Sequence, residues 1–209
     1  MPGIMAPRRG LLLGAAMAWA PRWAAAQGGG AAPTPACGDQ ATPRQTEGPY
    51  FKPASPERGD IAAGLPGVRL VLTGIVTDTR CRPVPRALLD VWQADAAGEY
   101  DLAGMRLRGH LFTDAEGRYR LASIVPRWYG AGFGGRGFAG RTPHIHLKLQ
   151  APGGRVLTTQ LYFPPELGAY GQDIARMNQA DGLFDPRLVM ALSPAGESYA
   201  GRYDFVLAG

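Results

Sequence analysis

The sequence predicts a mainly β protein, a single-domain β-sandwich with long loops and little helix. Three observations carry that expectation. Apolar residues alternate with polar ones in short runs; glycine and proline, 30 and 19 residues of 209, separate those runs; and only one short segment has a helical pattern. Short strands of this kind cannot bury an apolar face alone, so they pack sheet on sheet.

In chain order, Val68, Leu70 and Leu72 alternate with Arg69, Val71 and Thr73, the period of a strand. LLDVW at 88–92 reads as a buried strand. Tyr119 and Leu121 alternate with Arg118 and Arg120 behind the turn DAEG at 114–117. Further strands are expected at HIHLKL (144–149), VLTTQLYF (156–163), RLVMAL (187–192) and RYDFVL (202–207), the last turning Tyr203, Phe205 and Leu207 to the core. GQDIARMNQA at 171–180 reads as a helix. YGAGFGGRGFAG at 129–140 is too glycine-rich for regular structure and reads as a flexible loop.

Residues 1–26 form an expected export signal. Arg8 and Arg9 precede an apolar run at 11–20, and AAA at 24–26 supplies a cleavage site. The run is too short for a spanning helix, which needs about 20 residues, so no stable membrane anchor is expected. The twin arginine is Tat-like, which implies an exported protein, periplasmic or extracellular. Residues 27–45 read as a flexible N-terminal segment and 46–209 as the folded domain. Removing Arg8, Arg9 and Arg22 lowers the net charge from +5 to +2, and no basic cluster is interleaved with aromatics, which excludes a nucleic-acid partner. The two cysteines, Cys37 and Cys81, favour a disulfide in an exported chain. It would close a loop of about 45 residues, worth about 4 kcal/mol in the chain-entropy picture.

The most informative stretch is RTPHIHLKL at 141–149. As a strand it puts His144, His146 and Lys148 on one face and Ile145, Leu147 and Leu149 on the other. Two imidazoles side by side can close on one metal ion at about 2.0–2.1 Å, or can simply be the polar face of a strand. Residue pattern alone leaves both open.

Longer blocks narrow the choice. LTGIVTDTRCRPVPRALLDVWQADAAGEY (72–100), with Gly74, Pro83, Asp90, Trp92, Asp95, Gly98 and Tyr100, resembles the signature of the intradiol ring-cleavage dioxygenases. TPRQTEGPYF (42–51), HLFTDAEGRYRLASIVPRWY (110–129), RTPHIHLKL and TTQLYFP (158–164) resemble the same family in the same order. The resemblance implies one non-haem Fe(III) per chain, held by Tyr100, Tyr129, His144 and His146. It implies catalytic roles for Arg141, Gln160 and Tyr129, with Tyr129 the phenolate that is released and takes a proton. It places Tyr50, Thr46 and Arg141 at the substrate. The substrates would be a catechol-type ring and O2, both atoms of which enter a cis,cis-muconate-type diacid. The Cys37 and Cys81 pair is similar to the secreted, single-chain branch of that family, and the resemblance admits a homo-oligomer. His110 falls outside the matched set and reads as structural.

The donor types suit the implied ion. A phenol ionises near pH 10 in water, so a phenolate ligand calls for a hard, highly charged cation such as ferric iron. A non-enzymatic alternative is a transthyretin-like or carboxypeptidase-regulatory-like binding module. It accounts for the strands and the DAEG turn, but not for H-x-H, the TEGPY block or the two matched tyrosines.

Overall fold

The computed structural model describes residues 3, 40–130 and 140–208. Among these, nine strands build two sheets: β1 Arg69–Asp78, β2 Leu88–Gln93, β3 Arg108–Phe112, β4 Arg118–Ile124, β5 His144–Gln150, β6 Leu157–Tyr162, β7 Ala191–Ala195, β8 Ser198–Arg202 and β9 Phe205–Leu207, with one α-helix, α1, at Ile174–Ala180. The first sheet runs β4-β1-β8-β7, with β9 also paired to β1; the second runs β3-β2-β5-β6. Their apolar faces share one core. Leu70, Leu72 and Val76 of β1 and Leu121 of β4 meet Leu89 and Val91 of β2 and Ile145, Leu147 and Leu149 of β5 in that cluster. Each fully buried leucine there contributes about 1.5–3 kcal/mol.

Strand β1 is the spine of its sheet. It pairs antiparallel with β4 and parallel with both β8 and β9. Between those two parallel partners the chain steps off the sheet at Tyr203 and Asp204. The step is pinned by Tyr203 N donating to Thr73 O (3.0 Å), Ile75 N donating to Asp204 Oδ1 (2.9 Å) and Tyr119 Oη donating to Tyr203 O (2.7 Å). Gly74 lies beneath it, where a Cβ would stand 1.8 Å from Tyr203 O. Phe205 and Leu207 therefore reach the core while Tyr203 is only half-buried, so the expected run 202–207 is two strands with a step between them.

The expected strand at 187–192 is corrected as well. Asp185 and Pro186 open a 3-10 turn over Pro186–Leu188, capped by the Asp185 side chain accepting from Arg187 N at 3.0 Å. Proline at the first helical position with aspartate before it favours this start over a strand. The helix α1 forms where expected, with Asp173 as its N-cap accepting from Arg176 N at 3.1 Å. The end of the 27–45 segment is bonded to the sandwich: Thr42 N donates to Val206 O (2.9 Å) and Gln45 N to Thr158 O (2.8 Å). Cys81 sits in the turn after β1 and is disulfide-bonded; Cys37 lies outside the described residues, as do the export signal and most of the 129–140 loop.

Candidate metal centre

Register builds the site. Across the second sheet Arg108, Trp92, His146 and Gln160 lie side by side on β3, β2, β5 and β6, and His144 pairs with Tyr162 in the next row. This is the face opposite the core, which an antiparallel sheet commonly leaves to solvent. Here it is covered: His144 is 2% exposed and His146 1%. The cover is the 46–51 segment, the β2–β3 connection and the residues after α1. Lys148, next on the same face, pairs with Glu47 at 2.5 Å and lies 3.6 Å over the Phe51 ring, fastening the first of these. Arg108 fastens it to the second, donating from Nη1 to Tyr50 O (2.7 Å) and from Nη2 to Asp101 O (3.1 Å).

The four expected ligands converge under that cover. Tyr100 arrives from the β2–β3 connection and Tyr129 from the β4–β5 connection, their rings edge to face with centroids 5.2 Å apart. Tyr129 is tied to the histidine strand by a short antiparallel bridge to Arg141, with Arg141 N donating to Tyr129 O at 2.8 Å. Its ring centroid lies 5.5 Å from that of His144, and that of Tyr100 lies 6.2 Å from that of His146. Trp92 stacks on His146, 4.8 Å apart and 6° from parallel, and fixes the imidazole plane. Gly98 makes room for the approach, since a Cβ there would stand 2.4 Å from Trp128 O, and its φ of +85° favours glycine besides.

Protonation fits a cation between these groups. His144 Nδ1 lies 2.6 Å from Thr142 O, which assigns the ring proton to Nδ1 and leaves Nε2 a bare lone pair. That Nε2 faces His146 Nε2 at 3.0 Å. Burial, reinforced by Arg141, pushes His144 down to about 3, and burial and His144 hold His146 well below its ordinary value, so both are neutral donors. The buried Tyr100 hydroxyl makes no well-formed hydrogen bond among the described residues, and the Tyr129 phenol beside it acts on it by charge and by hydrogen bonding. Burial also raises both phenols above 10, so neither ionises unless a cation is bound beside it. The described residues contain no cluster of three histidine, cysteine or carboxylate groups. A cation here must take its anionic donors from tyrosine, and that donor set suits ferric iron better than zinc or calcium.

A pH dependence follows for the metal-free protein. In the folded state His144 and His146 bind protons well below the unfolded value of 6.5. The stability linked to them is complete above that value and is lost as pH falls toward about 3, with a slope of up to about 1.4 kcal/mol per pH unit per histidine. Urea unfolding of metal-free protein at stepped pH across that window reads it directly; a flat profile would mean that the pair is open to solvent.

The other expected site residues divide. Tyr50 is at the centre, stacked on Tyr100 with centroids 4.2 Å apart and edge-on to Tyr129 at 5.8 Å. It lines, with Gly98, Glu99, Tyr100, Leu102, Tyr129 and Gly130, a cavity of about 340 Å³. Thr46 is exposed and outside that lining; its hydroxyl accepts from Gly48 N at 3.1 Å. Gln160 is committed at both ends, accepting from Arg141 Nη2 (2.6 Å) and donating to Thr46 O (2.9 Å). It holds Arg141 rather than reaching into the cavity. Arg141 is held on its other edge by buried Asp181, which sequence reading did not single out, and it lies 3.3 Å from the hydroxyl of Tyr162. Tyr162 was legible by parity, two residues from Gln160 on one strand; Asp181 carried no local signal. His110 is structural, its Nδ1 2.8 Å from Ser55 O, while Ser55 Oγ donates to Asp90 at 2.7 Å.

Comparison with known proteins follows the same outline. A family model described as "Dioxygenase" (Dioxygenase_C) matches residues 46–209. Hydroxyquinol 1,2-dioxygenase of Rhodococcus opacus is 38% identical over 140 residues, 59% of this chain and 47% of that protein. Hydroxyquinol 1,2-dioxygenase of Nocardioides simplex is 33% identical over 196 residues, 80% of this chain and 65% of that protein. The chain thus spans about half to two thirds of the length of these curated relatives. Among solved structures, the dioxygenase domain of a dioxygenase carbohydrate-binding protein fusion from Streptomyces sp. SirexAA-E is 47% identical at a TM-score of 0.68, covering 81% of this chain and 99% of that one. The 3-chlorocatechol 1,2-dioxygenase of Rhodococcus opacus 1CP is 31% identical at a TM-score of 0.68, covering 83% and 74%. With its sandwich, its histidine strand and a match across residues 46–209, the chain belongs to the intradiol ring-cleavage dioxygenase family.

Proposed function

We propose that this chain is a non-haem ferric dioxygenase that opens a catechol-type ring between its two hydroxyl-bearing carbons, with one iron held by Tyr100, Tyr129, His144 and His146. The observation that carries the reading is the convergence of two half-buried phenols and two buried, neutral imidazoles beside a cavity large enough for a ring. Bound there, ferric iron would withdraw electron density from a chelated catechol and make a ring carbon reactive toward O2. The chain's own groups do the rest. Tyr129, the less buried of the two phenols, takes a proton from the incoming substrate hydroxyl, while Tyr100 stays in place under Tyr50. Arg141 is a permanent cation. Burial alone would lower its proton affinity, but Asp181 beside it more than offsets that, and it stabilises negative charge as it develops on the ring.

The cavity also speaks to substrate. Glu99 is the only charged side chain among its described lining residues. A carboxylated ring would bring a second negative charge beside it, so catechol or hydroxyquinol is favoured over protocatechuate. The names of the two curated relatives above support the same choice. Export through the Tat-like signal at 1–26, to the periplasm or beyond, and a Cys37–Cys81 disulfide complete the proposal.

Isotopic labelling tests the reaction. With ¹⁸O2 the ring-opened diacid is expected to carry both labelled atoms, and kcat/KM is expected to be at least about tenfold higher on catechol or hydroxyquinol than on protocatechuate, a gap of about 1.4 kcal/mol. An aldehyde-bearing product from cleavage beside the diol would contradict the proposed reaction.

A further inference from the structure

At the centre of Arg141's environment is Asp181, which does more than hold the charge of its neighbour. Asp181 follows α1, and its side chain is 2% exposed. Both of its oxygens accept from Arg141 Nε, at 3.0 and 2.9 Å. Each also accepts a backbone N–H: Leu183 N reaches Oδ1 at 3.0 Å and Thr142 N reaches Oδ2 at 3.1 Å. The carboxylate therefore joins two pieces of chain, residues 141–142 and its own turn at 181–183. Thr142 is held a second time from α1, donating from its hydroxyl to Asn178 Oδ1 at 2.7 Å, and its carbonyl faces His144 Nδ1.

We infer that Asp181 is the positioning residue of the site. It fixes the plane of the Arg141 guanidinium and, through Thr142, the setting of His144. The inference rests on the function proposed above. Two edges of the guanidinium are taken, Nε by Asp181 and Nη2 by Gln160 and Tyr162. The Arg141 side chain also bears on the Tyr129 phenol, by its charge and by a side-chain hydrogen bond. The clamp thus holds the guanidinium against the phenol that an incoming substrate would displace. A guanidinium held at Nε and Nη2 loses little freedom when it meets developing charge beside it. Without Asp181 the same cation keeps its charge and loses its aim.

Asp181→Asn isolates this role. The side chain keeps its shape, yet its NH2 must face either Leu183 N–H or Thr142 N–H, a donor against a donor, and the ion pair with Arg141 is gone. On the iron-loaded protein with catechol as substrate, kcat is expected to fall about 10- to 100-fold, the range for removing a group that orients a metal-site residue. KM should change less than about threefold, because the cavity lining is untouched. Asp173→Ala is the control: it removes the N-cap of the same helix and does not touch Arg141, so kcat should stay within about twofold of wild type. In an Arg141→Lys background, which already lacks the planar fork, Asp181→Asn should cost no more than about twofold further, a non-additivity expected of residues acting together. If Asp181→Asn does not accumulate, Asp181→Ser keeps one acceptor oxygen in a smaller side chain, and the same split is expected.

An active wild type with an unaltered kcat in Asp181→Asn would overturn the inference, as would an equal loss in Asp173→Ala or full additivity with Arg141→Lys. A wild type that opens no catechol-type ring overturns the proposed function instead, so the two failures are distinct.

Discussion

Tyr100→Phe is expected to make the metal-free protein more stable while removing its function. The Tyr100 hydroxyl is buried without a well-formed hydrogen bond, and a buried polar group in that state costs up to about 1–3 kcal/mol. Deleting it leaves no cavity, because the ring stays stacked under Tyr50. Metal-free Tyr100→Phe should therefore unfold at higher urea than metal-free wild type, by up to that amount. Its iron affinity and its turnover of catechol should each fall by more than about 100-fold, beyond the range for losing a mere supporting partner. Opposite signs in stability and activity are the mark of a group kept for chemistry rather than for packing. Urea titration of both metal-free proteins, with an iron-binding titration alongside, reads the two effects separately. A stability loss in Tyr100→Phe would mean that the hydroxyl has a structural partner, and the ligand assignment would lose its best physical support.

The largest stability effect is expected at Gly74→Ala. The added Cβ would meet Tyr203 O at 1.8 Å, Tyr203 C at 2.8 Å and Tyr119 Cε1 at 2.9 Å. The first two are backbone atoms pinned by the hydrogen bonds of the β8–β9 step, so no flexible side chain can yield. Relief requires parting β1 from its parallel neighbours, which also breaks the Tyr119 hydroxyl bond to Tyr203 O. A loss of about 3 kcal/mol or more is expected, at or above the top of the usual overpacking range, measurable by thermal unfolding. The site lies on the other sheet, so folded protein that survives should bind iron with wild-type stoichiometry. A loss under about 1 kcal/mol would show that the step moves freely.

Much of this architecture was legible because it follows side-chain parity. β1, β2, β4, β5 and β6 each show a period-two face, and HIHLKL divides as its spacing requires, with Ile145, Leu147 and Leu149 fully buried. Parity says nothing about what covers the other face. Nothing in the alternation tells that 46–51 and the residues after α1 seal His144 and His146. β3 escaped notice because RGHLF is buried on both faces at Arg108 and Gly109 and shows no clean alternation. The β7–β8 hairpin escaped for the opposite reason: SPAGESY is mostly exposed, and its tight turn rests on Gly196 at φ +63°. Of the site, the two histidines and two tyrosines were reached through a matched frame, not through any property of each tyrosine alone. Asp181 lay beyond reach, since its 40-residue separation from Arg141 is closed only by tertiary packing. Thr46 shows the reverse limit: a residue inside a matched block, TEGPY, whose side chain turns into its own loop rather than toward the cavity.

The most direct test is a visible absorption spectrum of the purified protein, with iron assayed on the same sample and catechol then added without oxygen. One iron per chain is expected, with a phenolate-to-iron charge-transfer band that shifts when catechol binds and that is weakened in Tyr100→Phe. A protein that stays colourless after loading with ferric iron, or whose band ignores catechol, would contradict the claim that Tyr100, Tyr129, His144 and His146 form a ferric centre.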